Sequence, residues 1–474
     1  MGQHRLFLCL AALTFILWFS LACTGLTPVP SPTPIPTRTS TAALPSSPTF
    51  SLPIVTTTPT IHSSSTALLP TDSPPASTPI VTGKWRITGN DVPSLASFDA
   101  VLKDYMQAHN ISAGALAVTY RGRLVMAHGY TWDLDETYAT QPTSLFRIAS
   151  LSKPFTAAGI LKLVQDGKLS LDTRIVDILN FTPAPGETVD PRLRDVTVAH
   201  LLYHRGGWDI DALGYDPMFS DARISETLGV PLPISQANII TYMSGVALNH
   251  NPGATYAYSN FGYMLLGLII ETVSQQPYVT YMKQNVLEPL DITHMQLGRS
   301  ILANRLPGEV SYYSDFTGST VFDTSRMEVP WPYGGWNLEN MAAHGGWVAN
   351  VIDLARFESS FDPPQDNPVL SQDSIQRLFS APAGITDSRY YAMGWNVQRY
   401  GPGSMTTWHG GSLDGTLTLM VRRSDGVDWA AVFNQRESAS DPQGKTFWDI
   451  DGMLHQAADA VKAWPDHDYF HVSN

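Results

Sequence analysis

Phe146-Arg147-Ile148-Ala149-Ser150-Leu151-Ser152-Lys153-Pro154-Phe155-Thr156-Ala157-Ala158-Gly159-Ile160-Leu161-Lys162-Leu163-Val164-Gln165-Asp166-Gly167 sets a serine and a lysine three residues apart at the head of a long apolar run. The spacing of the apolar positions predicts a helix over Ser150–Gly167 that ends at a glycine stop signal. Pro154 falls in the first turn, where it is tolerated. Residues three apart share a helical face, so the Lys153 amine can reach the Ser150 hydroxyl. A serine hydroxyl attacks poorly until a base takes its proton, and a partly buried lysine can become that base because burial lowers its pKa. The helix start also supplies backbone N–H groups to any oxyanion that forms beside Ser150.

Further along the chain, Tyr258-Ser259-Asn260 lies between a Pro252-Gly253 turn and a predicted helix at Phe261–Ser274. A tyrosine there can relay a proton if a lysine holds it near its phenolate form, and an asparagine can grip an amide. Packing and helix capping are the plain alternative. Three His-x-Gly tripeptides compete as a charge-stabilising third element: His204-Arg205-Gly206, His344-Gly345-Gly346 and His409-Gly410-Gly411. Only His409 directly precedes a convincing strand (Thr416–Val421), and its glycines would let the backbone approach a substrate closely. His200 and His204 are four apart, but Leu201 follows the first where a metalloprotease helix needs Glu, so helix packing is the expected role.

Ser-x-x-Lys, then Tyr-x-Asn, then a His-Gly-Gly strand edge, in this order, resembles the serine β-lactamase and penicillin-binding-protein superfamily. Tyr-Ser-Asn points to its class C β-lactamase-like branch, which also holds D-aminopeptidases, D-alanyl-D-alanine peptidases and carboxylesterases. The resemblance runs from about Leu95 to Phe433, with supporting stretches at 146–149, 167–172, 198–202, 265–271, 350–357 and 394–395. It implies Ser150 as nucleophile, Lys153 as its activator and Tyr258 as general acid/base. Asn260 would hold the substrate amide, and His409 with Gly411 would border the site. The N–H groups of Ser150 and Ser412 would form the oxyanion hole. No cofactor is implied, and the substrate would be a small molecule or a peptide. His409 stands where true β-lactamases carry a lysine. An imidazole holds a substrate carboxylate less firmly and loses its charge in the physiological range, so slow β-lactam turnover is expected. A catalytically silent binding or sensor protein that keeps this fold is the alternative.

The fold implied is α+β. Predicted strands at both ends (Ala115–Tyr120, Leu124–Tyr130, Ala392–Arg399, Thr416–Val421, Trp429–Phe433) would form one antiparallel sheet. Helices flank it at Ser94–His109 and Trp448–Trp464. A mainly helical subdomain, with clear helices at Gln236–Met243, Val279–Val286 and Ile352–Phe361, is inserted between the two sets of strands. Cleft loops are expected at 204–234 and 305–345, where Tyr312, Tyr313, Trp331, Tyr333 and Trp336 either line a groove or pack.

Composition narrows the classes. The chain has 474 residues and a formal net charge of −13, which disfavours nucleic acid as a partner. Its only cysteines, Cys9 and Cys23, lie in the first 23 residues, so the folded region has no thiol nucleophile and no Cys-based zinc site. No Gly-x-Ser-x-Gly elbow occurs. Residues 1–22 read as an export signal, with Arg5 ahead of an uncharged apolar run. Cys23 after Ala22 resembles a bacterial lipobox, with Ser20 in place of its usual Leu; Ser20 and Ala22 also fit ordinary signal cleavage. Residues 23–83 are rich in Pro, Ser and Thr and carry only Arg38 and Asp72 as charges, so they read as a disordered tether. A lipid anchor on Cys23 would hold the domain at 84–474 on the outer side of a membrane.

Overall fold

A computed structural model describes residues 85–132, 139–362 and 366–471. The export signal, Cys23 and the tether lie outside these residues. Eight antiparallel strands form the main sheet: β1 (Trp85–Thr88), β2 (Ala113–Tyr120), β3 (Arg123–Trp132), β4 (Arg389–Tyr391), β5 (Asn396–Gly401), β6 (Ser404–Leu413), β7 (Thr416–Arg422) and β8 (Val427–Phe433), in the order β1-β3-β2-β8-β7-β6-β5-β4. The pairing of β8 with β2, Phe433 opposite Gly114 through Val427 opposite Tyr120, joins the late strands to the early ones. All the chain between β3 and β4 is thereby an insertion, as the strand pattern implied.

Side chains alternate across a strand, and each face of this sheet has its own core. Leu116, Val118, Leu419, Val421, Trp429 and Ala431 pack under two terminal helices, α1 (Ala96–Ala108) and, at the far end of the chain, a helix at Asp449–Asp459. Ala113, Ala115, Ala117, Met420, Ala430 and Val432 face the other way. Three alanines on one strand of this face leave room for helices to lie close to the sheet. α4 (Val351–Ser359) lies against this face, and α2 (Ser152–Gln165) and α3 (Asn260–Ser274) pack together in the same core. Phe155 of α2 stacks on Phe357 of α4 with ring centroids 3.8 Å apart. Truncating such a buried phenylalanine to alanine costs about 3–5 kcal/mol.

Four local expectations are corrected. The helix expected from Ser150 begins at Ser152, because Ala149–Leu151 form a 3₁₀ turn entered through Ala149 at φ +48°. The strand expected at Ala392–Arg399 is two strands, β4 and β5, with a turn between them. Gly394 in that turn has φ +81°, and a Cβ there would lie 3.1 Å from the Lys153 carbonyl oxygen. The turn thus presses against α2 where a larger residue would not fit. His409 does not precede a strand but lies inside the ten-residue β6. The helix expected at Val279–Val286 is α-helical over Tyr278–Met282 and then widens into a π-turn at Lys283–Leu287.

Candidate active site

Ser150 stands at the centre of a hydrogen-bonded trio. In a 3₁₀ turn, side chains three apart lie directly over one another, and this stacks Ser150 on Lys153. Lys153 Nζ donates to Ser150 Oγ at 3.0 Å and to the His344 carbonyl at 2.8 Å. The Tyr258 hydroxyl donates to the same Ser150 Oγ at 2.9 Å. Lys153 is fully buried, whereas Ser150 keeps part of its surface open to the cleft.

Each member is held from outside the trio. Thr416 and Thr418 of β7 donate hydroxyl hydrogen bonds to the carbonyls of Arg147 and Ile148, at 3.1 and 2.9 Å. Arg147 is itself buried, donates to the Pro332 and Arg299 carbonyls, and lies over the Tyr312 ring. Ser259 is extended, at φ −137° and ψ 110°, which sends Tyr258 and Asn260 to the same side. Its side chain caps α3 by accepting from the Gly262 N–H, and its own N–H donates to His204 Nδ1 at 3.1 Å.

The electrostatics follow from burial. Desolvation holds the Lys153 amine well below the usual lysine range, opposed by the nearby charge of Asp216. Desolvation pushes the Tyr258 phenol well above its usual range. The condition for a phenolate relay, a lysine that holds Tyr258 near its phenolate form, is not met: the buried site favours a neutral phenol beside an amine that can lose its proton. A neutral amine can accept a proton and a neutral phenol can donate one.

The three His-Gly motifs are not competitors, because the fold gathers all three here. The His204 ring lies among Tyr258, Tyr263 and Tyr391, with centroids 4.3, 4.9 and 4.6 Å away. His344 contributes its carbonyl to Lys153. Burial and the Lys153 charge push both imidazoles well below their usual range. His409 Nδ1 lies 2.7 Å from the Gly410 carbonyl, which can only accept, so Nδ1 carries the proton. Its Nε2, 3.0 Å from the Tyr391 hydroxyl, is then the acceptor. Burial first, and Lys153 second, push His409 down to about 3. The expectation that His409 loses charge within the physiological range is corrected: it is neutral throughout.

Beyond Asn396, which pairs with Trp408, β5 no longer covers β6. The segment His409–Leu413 therefore offers an open strand edge to the cleft. Gly411 packs so closely on the Ala149–Leu151 turn that a Cβ would lie 2.4 Å from the Ile148 carbonyl and 3.2 Å from the Ser150 nitrogen. Ser412 lines the same cleft, of about 660 Å³, with Ser150, Tyr258, Asn260, His409 and Gly410. Asn260 Nδ2 donates to Asp216 at 2.7 Å, and its Oδ1 is buried without a hydrogen-bond partner. A larger cavity, about 890 Å³, lies around Phe361, Phe379 and Arg422, away from Ser150.

Sequence reasoning missed Tyr391, Asp216, Phe219, Tyr256, Arg436 and Trp448. All but Asp216 line the cleft. Of the aromatics expected around the 305–345 loop, Tyr312, Tyr333 and Trp336 are buried and only Trp331 reaches the cleft. His200 closes a capping box with Thr197.

The β-lactamase family profile matches residues 98–451, about three quarters of the chain. The chain belongs to the β-lactamase family. It is 26% identical to Protein flp of Staphylococcus aureus (strain MRSA252) over 331 residues, 69% of this chain and 60% of that protein. The chain thus spans about 60% of the length of the curated relative it matches. Among solved structures it is similar to D-amino acid amidase from Ochrobactrum anthropi SV3 complexed with L-phenylalanine amide (TM-score 0.58, 22% identity, 78% of this chain and 99% of that one). It is likewise similar to the octameric penicillin-binding protein homologue from Pyrococcus abyssi (TM-score 0.57, 24% identity, 78% and 77%). The two structural likenesses agree on the fold, an antiparallel sheet with flanking helices.

Proposed function

We propose that this member of the family hydrolyses amides or esters through an acyl-enzyme on Ser150, with a preference for substrates that carry no carboxylate beside the scissile bond. The observation that carries this reading is Ser150 Oγ held 3.0 Å from a buried amine and 2.9 Å from a neutral phenol. In the proposed reaction Lys153 takes the Ser150 proton as Oγ bonds to the substrate carbonyl carbon. The N–H groups of Ser150 and Ser412 receive the oxyanion. Tyr258 passes its proton to the leaving nitrogen or oxygen as that bond breaks, and Lys153 returns a proton to Tyr258. Water then attacks the ester in the reverse sequence.

The substrate preference is supported by the neutral His409. Arg436 also lines the cleft, but it is bound to Asp414 and Glu437, at 2.5 and 2.7 Å, so it is not a free carboxylate receptor. Phe219, Tyr256, Trp331 and Trp448 give the walls an apolar, aromatic character. The solved amidase neighbour acts, by its name, on D-amino acid amides, which are substrates of the class inferred. The sequence before residue 85 supports placing this activity outside the cytoplasm on a lipid anchor at Cys23.

The test is a panel of D- and L-phenylalanine anilides, a neutral chromogenic ester and a chromogenic cephalosporin. The reading predicts the highest kcat/KM on the ester or the D-anilide. Equal efficiency on the cephalosporin contradicts the preference. No turnover on any of them, with no labelling of Ser150, favours a silent binding protein.

A further inference from the structure

Asp216 belongs to no motif, yet it is hydrogen-bonded to one residue of the site and its charge acts on another. It lies in the loop before the turn at Pro217–Phe219, where its Oδ1 accepts from the Met218 N–H at 2.9 Å. Its Oδ2 accepts from Asn260 Nδ2 at 2.7 Å. We propose that Asp216 is a positioning residue, whose carboxylate fixes the Asn260 amide and sets a negative charge facing Lys153.

The first half of the proposal rests on donor chemistry. A carboxylate can only accept, so the Asn260 amide must turn its nitrogen toward Asp216. The flipped amide would set Oδ1 against the carboxylate, oxygen on oxygen. With the nitrogen held, Oδ1 is the end left without a partner, buried beside Ser150's cleft. Asp216 thereby decides which end of Asn260 meets the reacting groups.

The second half is electrostatic. Lys153 is faced by Ser150, Tyr258 and Tyr263, by the His344 carbonyl, and by the neutral imidazoles of His204, His344 and His409. Asp216 opposes the burial that lowers the lysine. Asp216 in turn faces Lys153, Tyr258, Asn260 and the Met218 N–H. Burial pushes its carboxyl up, while Met218, Asn260 and Lys153 pull it back. Removing its charge lets burial act on Lys153 unopposed, so the amine loses its proton at lower pH. The acid limb of the Ser150 reaction, which follows that proton, then moves to lower pH.

This inference rests on the hydrolase reading, and its test separates the two. The full chain, as wild type, Asp216→Asn, Asp216→Glu and Asn260→Ala, is reacted with a fluorophosphonate probe from pH 5 to 10, and kcat and KM are measured on an amide. Asn caps a turn as well as Asp does, so Asp216→Asn keeps the loop. Asp216→Asn is expected to move the acid limb of labelling down by roughly half a unit to one unit and to raise KM for the amide about tenfold. Asp216→Glu restores the limb. Asn260→Ala raises KM and leaves the limb in place. A folded Asp216→Asn protein with the wild-type limb and wild-type KM overturns the proposal alone. A wild type that takes no label at Ser150 overturns the hydrolase reading and this proposal with it.

Discussion

Gly411→Ala isolates the contact between β6 and the turn that carries Ser150. The added methyl would meet Thr418 Oγ1 at 2.2 Å and the Ile148 carbonyl oxygen at 2.4 Å. The threonine hydroxyl can rotate, at the loss of its 2.9 Å bond to Ile148 and about 1 kcal/mol. The carbonyl is backbone and cannot. Ordinary contact is regained only if β6 retreats by about 1 Å, and overpacking of this kind costs about 1–3 kcal/mol of stability. The catalytic cost is larger, because Ser412 follows Gly411 and moves with it. A 1 Å misplacement can cost about 10²-fold, and loss of one oxyanion donor costs about 10²–10³-fold in kcat. Gly410→Ala is the internal control. Its methyl would meet only the Trp448 ring tip, at 2.5 Å, and that side chain is 37% exposed and free to swing. The assay is steady-state hydrolysis of a neutral chromogenic ester with a thermal melt of each variant. Gly411→Ala should lower kcat about 10²-fold with Tm down a few degrees. Gly410→Ala should change KM and leave kcat within about threefold. A folded Gly411→Ala enzyme with near wild-type kcat, or equal losses in both variants, would refute the reasoning.

Three further outcomes follow from particular groups. His409→Gln should leave the pH profile of kcat/KM unchanged between pH 5.5 and 8.5, because His409 does not titrate there; a limb that disappears in this variant would return the titration to His409. Asp221 is buried with one carboxyl oxygen unpartnered, and burial pushes it up to about 7. The unfolded chain then binds fewer protons than the folded one above about pH 4, so stability falls as pH rises from there to about 7. Asp221→Asn should flatten that fall and raise Tm at pH 8 relative to wild type, and melts at pH 5 and 8 that differ equally in both proteins would count against it. Cys23→Ala should move the protein from the membrane to the soluble fraction, and wild type found free in the medium with an unmodified Cys23 would favour ordinary secretion.

What the sequence made legible was local and periodic. α2 and α3 stand out as apolar runs with a serine cap or a glycine stop, and the hairpin of β2 and β3 is marked by Arg121-Gly122. β6 was obscured because Gly410 and Gly411 weaken a strand pattern, although Gly411 permits close packing against the Ser150 turn. The split of β4 from β5 was hidden because the apolar residues 391–393 and 395 continue through a turn. At the site, Ser150, Lys153, Tyr258, Asn260 and His409 were named in advance from motif order, and they share one cleft or adjoin it. Asp216 and Tyr391 carry no motif and reach the site only through folding. The three His-Gly motifs looked like rivals because they are far apart in sequence, and nothing local reveals that they converge on one lysine.

The central claim is that Ser150 is a nucleophile activated by Lys153. It is tested most directly by the mass of the protein after reaction with a fluorophosphonate, followed by peptide mapping. The account predicts one added phosphonyl group on the peptide containing Ser150, none in Ser150→Ala, and labelling slowed by orders of magnitude in Lys153→Ala. Label that persists unchanged in Ser150→Ala, or a wild type that takes none while folded, would contradict it.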